Sequence, residues 1–248
     1  MFSILIKKHF LKDLLEGFVD IHNHILPGID DGATSLAESV SLIKGMRALG
    51  VKQFIATPHI MADFYPNDEI TIGNAFQNVI TELAKKKLNN ILVNPSAEYM
   101  MDNHFEALID KNNIFPLKEN YVLVEMSYFQ PPINLEEILN KLVMKNFIPV
   151  LAHPERYSFY HNRKKTYRAL KKMGCFFQLN ILSLGDHYGK NVQKVGMHLL
   201  EENLIDFIAS DVHNESHIKK LNDLILTKSQ KLILPKIIEN TKSTFLVS

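Results

Sequence analysis

The sequence contains a single cysteine, Cys175, among its 248 residues. One cysteine excludes an intramolecular disulfide and any metal site built from several thiolates. It also argues against a cysteine-based phosphatase, because such an enzyme needs an Arg six positions after its nucleophile, where this chain has Ile181. Cys175 lies in an apolar run, so we expect a buried core thiol.

The sequence also lacks an excess of positive or negative charge. The chain carries 28 basic and 27 acidic side chains, for a net charge of +1. This balance gives no support for a generic nucleic-acid-binding surface. There is no Gly-x-Ser-x-Gly motif, so a serine hydrolase is unsupported.

Long apolar runs are absent as well, since none approaches the roughly 20 residues needed to span a bilayer. Residues 1–16 are apolar but interrupted by Lys7, Lys8 and Lys12, and no small-residue cleavage site follows them. This pattern does not fit a signal peptide. We predict that 1–17 is an amphipathic, helical N-terminal extension that packs on a domain spanning 18–248 or on a partner. We expect a cytoplasmic protein without stable membrane insertion.

From residue 18 onward, short β-rich runs alternate with longer helical patterns, and no repeat or domain boundary interrupts them. Such alternation predicts an α/β fold with a parallel sheet, either a closed barrel or an open doubly wound sheet. The predicted strands are 18–24, 51–57, 91–97, 121–126, 148–152, 175–180 and 206–210. The predicted helices are 36–49, 70–88, 104–111, 135–146, 163–173, 191–202 and the remainder to about 240.

Six of the seven predicted strands end at or next to a His, Asp or Glu side chain. Strand side chains alternate between two faces, so His22 and His24 would point the same way. The carboxyl ends of parallel strands converge in a barrel, whereas outer strands of an open sheet would be too far apart. The candidate set therefore favours a barrel-like closure. Together with Asp31, it comprises His22, His24, Asp31, His59, Glu98, Glu125, His153, Asp211 and His213.

Five imidazoles and four carboxylates are more than one tetrahedral zinc ion requires. Nine such ligands indicate two or three divalent metals with bridging carboxylates, and mixed nitrogen and oxygen donors suit manganese, iron or zinc. Three divalent ions would exceed four carboxylates by two positive charges, which would attract a dianionic phosphate ester. Clustered metals can activate a bridging water for direct attack on phosphorus. The set thus predicts a phosphoester hydrolase.

Arg156 follows the proposed ligand His153 by three residues. A guanidinium binds phosphate oxygens in a planar, bidentate manner and stabilises charge that develops on them. We therefore predict that Arg156 binds substrate and acts in catalysis; the alternative is a surface Arg paired with Glu155. Tyr128 and Phe129, followed by two prolines, are predicted to form an aromatic wall for a phenolic ring or simply to pack in a loop.

The motifs DIHNHILPGIDDG, ATPHI, AEY, LVEMS, AHPERY and ASDVHN together resemble one known superfamily. The resemblance is to the polymerase and histidinol phosphatase (PHP) superfamily, and within it to bacterial manganese-dependent protein tyrosine phosphatases of capsule and exopolysaccharide synthesis. It covers about 18–240 and implies a single-domain, distorted seven-stranded (β/α)7 barrel with three divalent ions, most often Mn²⁺. The implied substrate is a phosphotyrosine protein, namely the tail of a tyrosine autokinase that controls polysaccharide export.

The resemblance also implies a partition of the ligands. A first metal would take His22, His24, Glu98 and Asp211, a second would share Glu98 and add Glu125 and His153, and a third would take Asp31, His59 and His213. Asp20 would orient ligands, Asp211 would belong to the catalytic centre, and Arg156 would hold the phosphate.

One departure from the family pattern concerns the Arg that commonly follows the Asp-x-His motif. Residues 214–221 read NESHIKKL here. His217, Lys219 or Lys220 would replace that Arg in binding substrate, or Arg156 would act mainly alone. His187 is expected to be an exposed loop residue.

Three alternative functions stay open. The same chemistry could serve a small phosphate monoester such as histidinol phosphate, or a nuclease-like diesterase, which the balanced charge disfavours. The chain could also be a non-catalytic metal-binding regulatory module. The sequence leaves open whether the protein forms a homo-oligomer, as well as the physiological metal.

Overall fold

The computed structural model describes residues 8–247, which form nine parallel-paired strands and eight α-helices. β1, β2 and β4 form a three-stranded sheet, and β3, β5, β6, β7, β8 and β9 follow one another in a six-stranded sheet. The α/β class with parallel sheets agrees with the sequence prediction. The strands are β1 Phe18–Asp20, β2 Val51–Ala56, β3 His59–Ile60, β4 Leu92–Pro95, β5 Glu98–Met100, β6 Tyr121–Glu125, β7 Ile148–Ala152, β8 Phe176–Asn180 and β9 Phe207–Ala209.

A further short strand follows each of two predicted strands. The strand predicted over 51–57 is β2, and a further short strand, β3, begins beyond it at His59, because Pro58 has no backbone N–H for a ladder. The strand predicted over 91–97 is β4, which stops at Pro95, and β5 begins just beyond the predicted end, at Glu98. Backbone hydrogen bonds continue across both interruptions, from Ser96 N to Ala56 O and from Glu98 N to Pro58 O.

The first strand is shorter than predicted, and the placement of His22 and His24 within it was wrong. β1 ends at Asp20, and the following residues pair with the segment after β9 instead. Asp211 N donates to His22 O, His24 N donates to Val212 O, and Asn23 and Val212 form an isolated parallel bridge. The bridge joins an edge of the three-stranded sheet to the far edge of the six-stranded one.

The helices lie close to their predicted positions, except that the last predicted stretch divides into two. Ser35 caps α1 by accepting from Glu38 N, and the Glu38 carboxylate accepts from Thr34 N. The helices are α1 Leu36–Ala48, α2 Glu69–Lys85, α3 Asn103–Asp110, α4 Leu135–Met144, α5 Lys164–Lys172, α6 Lys190–Glu201, α7 Glu215–Asp223 and α8 Lys228–Phe245.

Both faces of the strands are buried, as expected for parallel sheets covered by helices. In β6 the side chains of Val122 and Val124 join the larger core beneath the helices, whereas Leu123 points into a smaller cluster on the opposite face. That smaller cluster includes Val19 and Phe245, so it joins the first strand to the last helix.

Only part of the N-terminal extension lies within the described residues. Residues 1–7 lie outside them, and within the predicted helical extension Leu11–Leu14 form a 3-10 helix. Leu11 and Leu15 are fully buried, and Leu11 N donates to Leu224 O. Residues 8–17 thus pack on the domain. Among residues 8–247, no helix combines the length and apolar character that crossing a bilayer requires.

Candidate metal and phosphate site

All nine predicted ligands gather in one place: most follow the end of a strand, His59 and Glu98 begin β3 and β5, and Asp31 lies in a loop. Their side chains form four overlapping groups in which the potential ligand atoms lie within 4.8 Å of one another. The groups are His24, Asp31, His59 and His213; His22, His24 and Asp211; His22, Glu98 and His153; and His59, Glu98 and Glu125. The overlap between groups shows that the arrangement is one continuous cluster.

Glu98, at the start of β5, is the centre of the cluster and is fully buried. Its Oε2 atom lies 3.1 Å from His22 Nε2 and 3.2 Å from His59 Nδ1. Its Oε1 atom lies 3.2 Å from His153 Nε2. Three imidazoles from three separate segments therefore face one carboxylate, which is the arrangement expected of a bridging ligand.

Two further carboxylates, Asp211 and Asp31, each face two imidazoles. Asp211 Oδ1 lies 3.3 Å from His22 Nε2 and 3.4 Å from His24 Nε2. Asp31 Oδ1 lies 3.4 Å from the Nε2 atoms of both His59 and His213. Asp31 is half exposed, so this end of the cluster faces solvent.

The outer nitrogens of two imidazoles are held by residues that the sequence analysis missed. His22 Nδ1 lies 2.8 Å from Gln178 Oε1, and His24 Nδ1 lies 2.8 Å from Asp30 Oδ2. Such contacts fix the ring orientation of metal-binding histidines. The Asp30-Asp31 pair carried a usable signal, since two adjacent carboxylates in a loop can bind and orient respectively, but nothing in the sequence pointed to Gln178.

Asp20 is placed as a structural support for the cluster rather than within it. Its carboxylate is fully buried and accepts hydrogen bonds from Ser210 N at 2.9 Å and Ser210 Oγ at 2.6 Å. Burial raises the pKa of Asp20 to about 6 even though the Ser210 hydrogen bonds lower it. Asp20 thus fixes the strand end from which Asp211 projects.

His153, which directly follows β7, and Asp211, which lies two residues past β9, both have left-handed backbones. Their φ angles are 35° and 51°, which are uncommon for residues other than glycine. Backbone strain of this kind concentrates at functional sites, where surrounding contacts hold it. Here Arg156 N donates to His153 O and Asp211 N donates to His22 O.

Gly32 allows the loop that carries Asp30 and Asp31 to lie against His24. A Cβ atom at Gly32 would lie 2.1 Å from His24 O, which is a severe steric clash. Gly32 N also donates to Asp30 Oδ1 at 2.9 Å. The glycine in the Asp-Asp-Gly sequence is therefore required by close packing against a candidate ligand.

The electrostatics of the cluster favour a bound cation. Burial alone would raise the pKa of Glu98, but His22 and His59 hold that pKa well below its usual range. Burial likewise would raise the pKa of Asp211, and its His22 and His213 neighbours hold it low. Burial, helped by the Arg156 charge, lowers the pKa of His153 to about 4, so this imidazole is neutral and able to bind a metal.

Buried polar atoms in the cluster lack hydrogen-bond partners among the described residues, and this provides a test of metal fit. The atoms are His59 Nδ1, Glu98 Oε1, Glu98 Oε2, Glu125 Oε1 and His153 Nδ1. Leaving such groups unpaired is costly, so a native structure rarely does so without a compensating ligand. Nitrogen and oxygen donors facing one another at these distances fit divalent transition metals, which would satisfy the Glu98, Glu125 and His59 atoms. His153 faces Glu98 with its Nε2 atom, so a metal there would not satisfy its Nδ1 atom.

Arg156 lies beside this cluster, and the alternative pairing with Glu155 was wrong. Its Nη1 atom donates to Asp211 Oδ2 at 2.8 Å. The guanidinium packs between two aromatic rings, 4.8 Å from the Tyr128 centroid and 4.2 Å from that of Tyr188. Glu155 instead is fully buried and accepts from Asn180 N and Ser183 Oγ.

A cavity of about 440 Å³ opens above the cluster. Its walls include Glu98, Glu125, His153, Arg156 and Asp211, together with several aromatic and methionine side chains. Tyr128 and Phe129 line it, so the loop after β6 faces the cavity, and their contact with a substrate ring stays a prediction.

Two other histidines lie outside this cavity lining. His217 is half-buried, with Nδ1 lying 3.3 Å from Asp211 O, and burial together with the neighbouring His213 lowers its pKa to about 4. His187 is partly buried, and Lys220 Nζ lies 2.8 Å from its Nδ1 atom. The substrate-binding role predicted for His217 stays a prediction.

Cys175 is buried at the edge of β8, as predicted, and is not among the residues that line the cavity. Burial raises the pKa of its thiol to about 12.

Comparisons with known proteins agree with this geometry. The family model described as "Capsular polysaccharide synthesis, CpsB/CapC" matches residues 18–243. The chain is 32% identical over 197 residues to tyrosine-protein phosphatase YwqE of Bacillus subtilis, covering 79% of this chain and 77% of the relative. It is 30% identical to the putative tyrosine-protein phosphatase CapC of Staphylococcus aureus, covering 79% and 77%.

A solved structure shares the fold. It comes from a study of YwqE from Bacillus subtilis and CpsB from Streptococcus pneumoniae, described as metal-dependent tyrosine phosphatases. The TM-score is 0.77 at 27% identity, over 90% of this chain and 94% of the other.

Proposed function

This chain belongs to the CpsB/CapC family of capsular polysaccharide synthesis, and we propose that it is a metal-dependent phosphatase that hydrolyses phosphotyrosine on a protein. The observation that carries the proposal is the position of Arg156, which donates to Asp211 at the edge of a nine-ligand cluster and lines the same cavity. The tyrosine-phosphatase names of the similar proteins support the choice of phosphotyrosine.

We propose that the cluster holds three divalent metals, with Mn²⁺ as the first choice and iron and zinc as alternatives. The first would be held by His22, His24, Glu98 and Asp211, the second by Glu98, Glu125 and His153, and the third by Asp31, His59 and His213. Metals bound there would supply an activated water and positive charge for the phosphate. The three carboxylate centres at Glu98, Asp211 and Asp31 support this number.

The side chains would divide the remaining work between them. Arg156 would bind the phosphate oxygens and stabilise the charge that develops on them during hydrolysis. Asp211 would fix Arg156 relative to the metals, because its two oxygens face the two sides: Oδ1 faces His22, and Oδ2 accepts from Arg156. Tyr128 would present a ring wall to the substrate phenol.

We further propose that the nine strands form a distorted seven-stranded barrel within a domain spanning 18–248, with 1–17 as its N-terminal extension. In this description, β2 with β3 and β4 with β5 are each one interrupted strand. The hydrogen bonds across both interruptions and the Asn23–Val212 bridge support it.

We propose that the substrate is the phosphorylated tail of a bacterial tyrosine autokinase in the cytoplasm. The family's connection with capsular polysaccharide synthesis supports this choice. Autokinase tails carry phosphate on tyrosine, which suits an arginine at the base of an aromatic-lined cavity.

The test is phosphate release by metal-stripped protein, with and without added Mn²⁺, from a phosphotyrosine peptide, a phosphoserine peptide and histidinol phosphate. Mn²⁺-dependent release from phosphotyrosine alone is expected. Release from histidinol phosphate alone would move the chain to the small-molecule branch. No release from any of the three, with metals bound, would contradict the proposal and favour a diesterase or a non-catalytic metal-binding module.

A further inference from the structure

The rim of the cavity carries two large apolar side chains that face solvent. Phe64 is 74% exposed and Phe129 is 94% exposed, and both line the same cavity as the buried Glu98 and Arg156. Single exposed apolar residues are ordinary on protein surfaces, but a contiguous apolar patch rimmed by polar groups marks an interaction site. Met61, Tyr65 and Met100 are partly exposed and line the same cavity.

Phe64 is exposed because it lies in a hydrogen-bonded turn. Met61 and Tyr65 exchange backbone hydrogen bonds, each 2.9 Å long, so that Phe64 projects from the tip. The turn is anchored to the neighbouring strand end because Ala62 N donates to Asp102 Oδ2 at 3.1 Å. Tyr65 in turn stacks on His59, with ring centroids 5.5 Å apart.

Phe129 extends from the opposite loop, after β6. The residue before it, Tyr128, stacks on His153 and lies over Arg156, so this loop turns one ring inward and the next outward. The cavity is thus lined by buried charged side chains at the candidate ligands and by exposed apolar side chains at its opening.

The charged side chains that line the cavity limit which peptide sequences can bind there. Among the described residues that line the cavity, Asp63 and Asp102 are the acidic side chains outside the candidate metal cluster, and Arg156 is the one Lys or Arg side chain. Asp102 is already occupied, since it accepts from Ala62 N and from Phe105 N at the start of α3. Asp63 is exposed, so an acidic side chain next to the phosphotyrosine would meet like charge there.

We infer that Phe64 and Phe129 form a docking surface for apolar side chains that flank the phosphotyrosine of the substrate protein. The inference rests on the proposed function and specifies its substrate further: apolar neighbours are favoured, and acidic neighbours are disfavoured. Continuity with the cavity identifies the occupant, because a phosphate bound at Arg156 places the flanking peptide over the rim. Contact with each phenylalanine removes apolar surface from water, which strengthens binding.

The test compares four substrates: phosphotyrosine peptides flanked by Leu, by Gly or by Glu, and p-nitrophenyl phosphate, which is too small to cover the rim. For the Mn²⁺-loaded protein, kcat/KM should be about fivefold higher with Leu flanks than with Gly flanks, and lowest with Glu flanks. Phe64→Ala and Phe129→Ala should each reduce the ratio of kcat/KM for the Leu-flanked peptide to that for p-nitrophenyl phosphate about threefold to fivefold, mainly through KM.

Leu232→Ala is the matched control, because Leu232 is also 74% exposed but lies on α8, away from the cavity. It should leave every ratio unchanged. Equal kcat/KM for the three flanks, or unchanged ratios in both Phe variants, would overturn the inference while leaving the proposed phosphatase intact. Failure of the unmodified protein on every phosphotyrosine substrate would instead overturn the proposed function, and the docking surface with it.

Discussion

Arg156 shows that a sequence motif can identify a functional residue without identifying the residue that it contacts. The sequence offered Glu155 as the adjacent counter-ion, but the structure places Asp211, which is 55 positions away, 2.8 Å from the guanidinium. Glu155 and Arg156 lie in a short 3-10 helix after β7, in which successive side chains point in different directions, so sequence neighbours need not pair. The choice of partner connects Arg156 to the proposed metal centre.

Arg156→Ala should retain its metals and lose turnover. Removing a group that stabilises developing charge typically costs about 10²–10³-fold in rate. Metal content, measured by elemental analysis, should match that of the unmodified protein, whereas kcat/KM on a phosphotyrosine peptide should fall by that factor.

Arg156→Lys is the control, since it keeps the positive charge but loses the planar fork and should recover part of the rate. Full activity in Arg156→Ala would show that the assigned role is wrong.

Cys175 should be inert in the folded protein. Burial raises the pKa of its thiol to about 12, so little thiolate exists near neutral pH, and the sulfur is shielded from reagent. Iodoacetamide should label native protein slowly and urea-unfolded protein rapidly. Cys175→Ser should retain phosphatase activity, and a loss of turnover in this variant without a loss of folding would point to a thiol mechanism.

At the scale of elements, prolines and glycines determined where strands and loops break. The positions of the helices and strands followed from hydrophobic periodicity, but that periodicity gave no sign that two strands would be interrupted. Pro58 and Pro95 were visible in the sequence, yet whether a proline ends a strand or only interrupts it depends on the neighbouring strand. Here the backbone hydrogen bonds to the neighbouring strand continue past both prolines.

The capping box at the start of α8 provides an element-scale prediction. Thr227 Oγ1 accepts from Gln230 N, and Gln230 Oε1 accepts from Thr227 N. Thr227→Ala should lower the free energy of unfolding by about 1 kcal/mol, measured by urea denaturation, because one helix N–H loses its acceptor.

Thr227→Ser keeps the hydroxyl and should lose much less stability. Since the cap is not part of the metal cluster, kcat should stay the same in both variants. Equal stability of the Ala and Ser variants would show that the cap contributes little to the fold.

At the scale of the whole molecule, the candidate metal cluster should couple folding to metal binding. Its candidate ligands come from segments spread between His22 and His213, and the cluster buries carboxylates that lack partners among the described residues. A ligand that binds only the folded state stabilises it by about 2.7 kcal/mol at a concentration of about 100 times Kd. Added Mn²⁺ should therefore raise Tm, and a chelator should reverse the change.

His22→Ala should remove both the metal-dependent rise in Tm and the activity, because His22 contacts the two central carboxylates. The metal-stripped forms of this variant and of the unmodified protein, compared by calorimetry, provide the baseline. A full rise in Tm in His22→Ala would contradict its assignment as a ligand.

The sequence by itself determined the chemical inventory and the order of elements. Imidazoles and carboxylates at successive strand ends predicted a shared site, because parallel strands bring their carboxyl ends to one edge. The gathering of all nine candidate ligands in one cluster followed from that rule.

Tertiary structure alone decided which groups meet across the chain. It placed Gln178 and Asp30 behind the imidazoles, paired Arg156 with Asp211, and turned Phe64 and Phe129 outward around the cavity. These contacts depend on loop paths and left-handed backbones at single residues, where small angular changes move a side chain by several ångströms. Hydrophobic periodicity indicates which face of a helix or strand is buried, but it does not indicate the path of a loop.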